Sequence, residues 1–266
     1  MRALPSTGAT AVFLLVAAGS FPSWADQRDD FIAGRTRDCP HCDLHGVNEK
    51  RHDLTGANLE GALLNGATFH AAKLVGANLA GADLTDANFN RADLTRAKLD
   101  GAILKRTMLN AARLDGASLV RADLTGALAG DSSLTGANLS HVVGTGADFG
   151  GARLGQADLT GADLADAYLV TTHMVGAKLA GVRLTGSAMG AGKFTNSDME
   201  GADLTGADAL KADFRGANLT GANFTDTRLY NADLYEANVT DATFKNTILP
   251  DGTTFPPAHR SPSVDK

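Results

Sequence analysis

Residues 77–101 read ANLAG ADLTD ANFNR ADLTR AKLDG, and the same five-residue pattern continues along most of the chain. If the central residue of each unit is called position i, every residue number ending in 4 or 9 from Leu54 to Leu249 is an i position. Large apolar side chains fill 37 of these 40 positions, and alanine fills 29 of the 40 positions at i−2. The repeat therefore supplies a core although aromatic residues make up only 6% of the chain.

A period of five fits neither an α-helix, which repeats every 3.6 residues, nor a continuous strand, which alternates every second residue. Within each unit, however, positions i−2, i−1 and i alternate between small, polar and large, as in a short strand with one buried face. Glycine fills 19 of the i+2 positions, and glycine suits a sharp corner. Each unit thus predicts one short extended side and one corner, and the chain should wind as a solenoid.

The pattern A-[DN]-L-x-x, in register from residue 54 to residue 249, resembles the pentapeptide-repeat proteins. This resemblance implies an all-β fold, a right-handed parallel quadrilateral β-helix with four units in each coil and about ten coils. Residues twenty apart should then stack. Three pairs of phenylalanines meet this condition: Phe69 with Phe89, Phe194 with Phe214, and Phe224 with Phe244. The interior of such a narrow coil should be filled, with no room for a ligand.

The first 25 residues are predicted to be a secretory signal peptide. Arg2 gives a positive start, residues 9–19 are an apolar segment too short to span a bilayer, and residues 23–25 (SWA) place small residues at −3 and −1 of a cleavage site after Ala25. A short buried helix is the alternative. We therefore expect a periplasmic or secreted mature chain that begins at Asp26 and has no transmembrane segment.

Residues 26–53 are expected to form an N-terminal cap, and the segment CPHCDL that begins at Cys39 resembles a cap of pentapeptide-repeat proteins. Cys39 and Cys42 fall on inward positions across one corner, and a four-residue turn brings its ends within about 7 Å. We predict a disulfide between them in an oxidising compartment, with free buried thiols as the alternative. The next unit departs from the pattern, with Glu49 at i and His52 at i−2.

Three further regions deviate from the regular repeat. Residues 127–147 and 182–199 keep the register with weaker units, which predicts either simple decay of the repeat or a protruding loop. Residues 250–266 are expected to form a final turn and a disordered tail, because three prolines exclude a helix. Some pentapeptide-repeat proteins dimerise through a C-terminal helix, and this chain is expected to lack one.

Candidate metal ligands gather at the cap, where His41, His45 and His52 accompany the two cysteines. The segment CPHCD lacks the histidine of C-x-x-C-H, which excludes covalent haem attachment. A metal site needs three or four converging ligands, whereas the cysteines should point inward and His41 outward. The aspartates follow the repeat and no catalytic set is visible, so we expect no enzymatic activity, no cofactor and no metal.

The function predicted from these features is that of an exported structural or protein-interaction scaffold. Its partner would be an unknown protein or an anionic envelope polymer, bound by a cationic ladder in one i−1 column: Arg113, Arg153, His173 and Lys193, with Ser133 between the first two. An ordinary solvated face is the alternative reading of this ladder. The net charge of −6 is unfavourable for binding nucleic acid.

A second hypothesis comes from the resemblance alone, since some pentapeptide-repeat proteins mimic DNA and inhibit or protect DNA gyrase. Export would separate the protein from gyrase. Residues 54–249 carry 16 basic and 21 acidic side chains, a net charge of −5. This charge is far below that of a DNA duplex of similar length, which carries one charge per about 1.7 Å.

Overall fold

The computed structural model describes residues 24–255 and 259–260. Helix α1 spans Trp24–Ile32 and is followed by a right-handed parallel β-helix, as predicted. Each side of a coil is too short to form a regular strand, so the coils are joined by single parallel bridges between residues twenty apart, from Asp43 with Leu63 to Arg228 with Ile248. Two short strands, β1 (Thr243–Phe244) and β2 (His259–Arg260), follow near the C-terminal end.

The coil has four faces, which we number by their i positions. Face 1 carries residues 54, 74 and every twentieth residue after them, and faces 2, 3 and 4 begin in the same way at residues 59, 64 and 69. Faces 1 and 3 are opposite each other, and face 4 leads across a corner into face 1 of the next coil.

The unit 122–126 shows why the repeat has these residue types. The Leu124 side chain is buried, and its amide donates to the Val143 carbonyl of the next coil at 2.6 Å. The Asp123 carboxylate accepts the Thr125 amide at 3.0 Å, which satisfies a backbone group at the corner. Gly126 has a φ of 64°, in the left-handed region that other residues adopt only at some cost in strain. The five residues of one unit therefore encode the extended side, the hydrogen bond that stabilises the corner, and the corner itself.

The inward columns form one continuous core, in which the predicted phenylalanine pairs stack. Ring centroids are 4.7 Å apart for Phe69 and Phe89, and the other two pairs, Phe194 with Phe214 and Phe224 with Phe244, are 5.2 and 5.0 Å apart. The twenty-residue coil inferred from the sequence is thus confirmed by the side chains as well as by the backbone. Stacked aromatic pairs each contribute about 0.5–1.5 kcal/mol beyond their burial.

The two weaker stretches continue the ladder and do not protrude, as the bridges of Leu128 with Asp148 and Ala188 with Asp208 show. The glycines at inward positions in these stretches leave space for large neighbouring side chains. A Cβ atom on Gly144 would lie only 2.8 Å from Leu164 Cδ2, and one on Gly192 only 2.7 Å from a ring carbon of Phe194. The missing side chains therefore make room for large residues of the same core.

The N-terminal cap is itself the first coil with a helix laid over it. The Cys39 amide already donates to the Asn58 carbonyl at 2.8 Å, so the ladder begins well before residue 54, where the sequence analysis placed its start. Phe31 of α1 is buried in the core, and Arg28 Nε donates to the Asp43 carbonyl at 2.7 Å. Of the predicted signal peptide, only residues 24 and 25 are described, as the first residues of α1; the rest lies outside the described residues.

The C-terminal end is more ordered than predicted. Ile248 forms an antiparallel bridge with Thr254, and β2 pairs antiparallel with β1. The expectation of a disordered tail is therefore wrong at residues 259–260, because the open edge of the last coil offers backbone groups that an extended segment can pair with. Residues 256–258 and 261–266 lie outside the described residues. Within the described chain, no helix is long and apolar enough to cross a membrane.

Candidate interaction surface

The i−1 column of face 1 brings the predicted ladder together. Consecutive parallel bridges join Arg113 to Ser133, Ser133 to Arg153, Arg153 to His173, and His173 to Lys193. Neighbouring coils of a parallel ladder are about 4.8 Å apart, so these side chains emerge in a row along the axis. The row follows from the twenty-residue coil rather than from closeness in the sequence.

Local ion pairs divide this row into a neutralised end and an unpaired centre. Arg113 lies 3.5 Å from an Asp93 carboxylate oxygen and 3.9 Å from one of Asp115. Within the part of the chain that the structure describes, no carboxylate lies within 4 Å of Arg153 or Lys193. The ladder available to a partner is therefore the shorter set Arg153, His173 and Lys193, and Arg113 adds little net charge to it.

His173 sits between the two unpaired cations and has an unsatisfied ring nitrogen. Its Nδ1 atom is buried and lacks a hydrogen-bond partner among the described residues. A buried polar atom without a partner costs about 1–3 kcal/mol. Because this atom is buried, a partner outside the chain does not reach it, and His173 contributes to the ladder only through the exposed part of its ring.

Beside the ladder, face 4 carries an apolar platform that the sequence analysis missed. Its i−1 column includes Met108, Leu128 and Tyr168, and Val170 lies beside them at i+1. Leu128 is 42% exposed and Tyr168 is 48% exposed. Asp148 stands between these two residues in the column, so the apolar side chains are grouped on one face with a carboxylate among them. Apolar side chains grouped on one face are a common feature of protein interfaces. The signal was present in the sequence as an apolar i−1 column, visible only when this face is read at intervals of twenty.

Glycines keep the platform flat. Gly130, Gly150 and Gly190 occupy its i+1 column, and none of them has a positive φ, so the backbone conformation does not require glycine there. At Gly150 an added Cβ atom would lie 2.8 Å from Tyr168 Cε1. One edge of the tyrosine ring therefore lies against the backbone of Gly150, beside the Asp148 carboxylate.

The acidic residues within the platform are already engaged. Asp148 accepts the Gly150 amide at 2.8 Å, and Asp208 pairs with Arg228 at 3.1 Å. At the corner towards face 1 the chain has Gly151, Thr171 and Ala191, and the Asp131 carboxylate lies over Gly151. The platform and the unpaired cations lie on the two sides of this corner, and together they form one surface with an apolar and a basic part.

The predicted site residues of the cap do not converge on a metal. Cys39 and Cys42 are joined as a disulfide in the structure, with their Cα atoms 5.4 Å apart. His41 lies at a corner with a φ of 57° against Gly61, while His52 hydrogen-bonds to Glu49. Among the described residues, no group of three or more histidine, cysteine, aspartate or glutamate side chains is arranged to hold a metal ion.

The repeat matches a known sequence family. The family described as Pentapeptide repeats matches residues 53–91, 87–126, 122–161, 152–189, 191–221 and 212–249. No match was found among the curated proteins.

Several solved structures are similar. HetL, a pentapeptide repeat protein involved in heterocyst differentiation regulation from the cyanobacterium Nostoc sp. strain PCC 7120, is 29% identical over 85% of this chain and 96% of its own, with a TM-score of 0.48. A pentapeptide repeat protein from the Arabidopsis thaliana thylakoid lumen is 32% identical over 35% of this chain and 65% of its own, with a TM-score of 0.35. QnrB1, a plasmid-mediated fluoroquinolone resistance protein, is 23% identical over 77% of this chain and 90% of its own, with a TM-score of 0.38.

Proposed function

We propose that this chain, which belongs to the pentapeptide-repeat family, is an exported, non-enzymatic scaffold that binds a protein partner through faces 4 and 1. The observation that carries the proposal is the meeting of an exposed apolar platform with two cations that have no carboxylate partner in the described chain. The stacked coils have a filled core, and solenoids bind partners along their outer faces.

The surface fits a partner that presents an apolar patch with carboxylates on one side of it. Leu128, Tyr168 and Val170 would bury apolar area, and exposed aromatic anchors of this kind supply much of the energy of protein interfaces. Arg153 and Lys193 would meet the acidic side and set the orientation. An anionic envelope polymer would use the cations but gain little from the platform, which is why we favour a protein.

Photo-crosslinking tests the platform directly. A photoreactive phenylalanine analogue is placed at position 168 of the full chain in the producing cells, and a second chain carries it at position 143. Val143 lies on face 3 and is 41% exposed, so it is a matched control. We expect a discrete protein adduct from position 168 only. Equal adducts from both positions, or none from position 168, would contradict the proposal.

Charge reversal tests the basic part. In the Arg153→Glu/Lys193→Glu variant, the adduct from position 168 should be lost, because the variant repels an acidic partner. The control Lys98→Glu/Arg121→Glu changes the net charge equally on face 2 and should leave the adduct intact. If instead the first variant keeps its adduct and loses only its retention on dextran sulfate, Arg153 and Lys193 bind a polymer, and the proposal that they take part in binding the protein partner is wrong.

Export and the gyrase hypothesis share one test, which is fractionation of the producing cells together with N-terminal sequencing of the protein. The proposal expects an envelope or secreted fraction and a mature chain that begins at Asp26. Cytoplasmic residence of the uncleaved chain would refute export and favour an intracellular role such as protection of DNA gyrase.

A further inference from the structure

Glu49 is the exception to the rule that builds this fold. Every other i position from residue 39 to residue 249 holds an uncharged residue, and nearly all of these are large and apolar. Glu49 occupies its position with the same inward orientation and is 5% exposed. Burial of a carboxylate in place of leucine is unfavourable unless the charge is well satisfied. A violation of the local rule at such a cost is typical of a functional position.

The Glu49 side chain lines a cavity between the helix and the first coil. The cavity has a volume of about 340 Å³, within the range of small-molecule sites. Phe31 and Ile32 of α1 and Leu54 of the first coil give it an apolar part. Glu49, His52, Arg37 and Asp53 give it a polar part. The cavity therefore combines an apolar body with a few polar groups, as ligand sites commonly do.

The hydrogen bonds of Glu49 leave its charge incompletely satisfied. Among the described residues only His52 bonds to the carboxylate, from Nδ1 to Oε2 at 2.6 Å. The His52 side chain is 63% exposed and occupies the i−2 position of the next unit, where alanine is the rule. A carboxylate with a structural role would be expected to accept backbone amides as well, as Asp123 does. Glu49 is thus held ready for a further donor that enters the cavity.

The charges around the cavity select the class of ligand. Glu49 and Asp53 are acidic, and Arg37, which also lines the cavity, donates to the Thr55 carbonyl at 3.3 Å. The Arg37 charge acts on Asp53, which leaves Glu49 as the carboxylate that meets a ligand. A ligand anion would face the buried carboxylate, whereas an ammonium group would donate charge-assisted hydrogen bonds to it. A metal ion would need more converging ligands than the described residues supply.

We propose that this cavity binds a small organic cation, with a primary ammonium group on Glu49 and an apolar body against Phe31, Ile32 and Leu54. The site lies at the N-terminal end of the β-helix, apart from faces 4 and 1, so it adds a small-molecule ligand to the scaffold function. Because α1 supplies one wall and the first coil the other, the ligand would also hold the helix on the coil.

Benzylammonium is the probe, because it joins one primary ammonium to a compact apolar ring. Calorimetric titration of the full chain should give saturable binding at one site, and benzyl alcohol, which lacks the charge, should bind at least tenfold more weakly. The Glu49→Gln variant keeps the shape of the side chain and should also weaken benzylammonium at least tenfold, which corresponds to about 1.4 kcal/mol. The exposed control Glu60→Gln on face 2 should bind as the wild type does.

A second variant separates loss of the site from loss of the fold. Glu49→Leu restores the residue that the repeat prefers, so it should melt at the same temperature as the wild type or higher while binding no benzylammonium. This combination of gained stability and lost binding supports a ligand site. Absence of saturable binding by the wild type up to 10 mM, or equal affinity in wild type and Glu49→Gln, overturns the proposal.

Discussion

The coil at residues 149–168 and the coil at residues 39–58 have the same backbone and different contents. In the middle coil the i positions hold phenylalanine and leucine and the i−2 positions hold alanine, all fully buried. In the first coil the i positions hold Cys39, Leu44, Glu49 and Leu54, and His52 stands where alanine is expected. The bridges to the following coil nevertheless continue without a break.

The two coils differ because their inward side chains pack against different neighbours. A residue inside the middle coil packs against the coil before it and the coil after it, so both restrict it to one size and polarity. A residue inside the first coil meets helix α1 on one side. The helix and its loop leave a cavity there, and a polar residue can occupy an inward position because its side chain reaches that cavity.

The largest effect is expected from a charge placed in the middle coil. Leu159→Asp should lower the free energy of unfolding by about 4 kcal/mol or more, because a charge without a partner would enter a dry core. Urea unfolding followed by circular dichroism measures the change. The matched control Thr160→Asp lies on the outward side and should change stability by about 1.5 kcal/mol or less, since it loses only the side-chain hydrogen bond to Asp158. Equal losses for the two variants would show that the inward assignment is wrong.

A smaller effect is expected from the disulfide, which marks the first coil and has no counterpart in the middle one. Intact mass under denaturing, non-reducing conditions should be about 2 Da below that of the reduced chain, since one bond removes two hydrogens. The Cys39→Ala/Cys42→Ala variant should lose about 2 kcal/mol, because a loop of four residues restricts the unfolded chain only modestly. An unchanged mass on reduction would show that the thiols are free.

The smallest effect concerns pH in the middle coil. Burial alone would raise the pKa of Asp158, but hydrogen bonds from Thr160 and the nearby Lys178 ammonium lower this pKa below its usual 3.8. A carboxylate with a lowered folded-state pKa stabilises the fold above its unfolded pKa, and that stabilisation disappears as the pH falls through the lowered value. The urea concentration at the unfolding midpoint should therefore decrease as the pH is lowered below about 4. The decrease should be less steep in Asp158→Asn. Parallel curves for the two proteins would contradict this assignment.

Most of the fold could be predicted from the sequence because each pentapeptide carries its own side and corner. The stacking of Phe69 on Phe89 followed from the twenty-residue coil, and the alternation of inward and outward residues followed from the unit itself. The pairing of β2 with β1 could not be predicted, because prolines in the tail argue against a helix but say nothing about an edge that needs a partner.

The candidate surface was only partly predictable. The unpaired state of Arg153 and the neutralised state of Arg113 depend on which carboxylates lie within reach, and Asp93 is one coil away from Arg113. The platform was missed because Leu128 and Gly130 belong to a stretch that looks like a weak repeat when it is read five residues at a time. Their place in an exposed apolar surface is recognised only together with Tyr168, two coils further along the axis.

The sequence by itself determined the period, the inward columns and the family, since these depend on interactions within one unit repeated many times. Only the tertiary structure decided which stacked outward residues form ion pairs and which stay unpaired, because this depends on the reach of side chains between coils and across corners. It also decided that Glu49 faces a cavity rather than another coil, because helix α1 covers the first coil at that end. Interactions within a unit determine its backbone conformation, and packing between units determines which of its side chains are accessible to a partner.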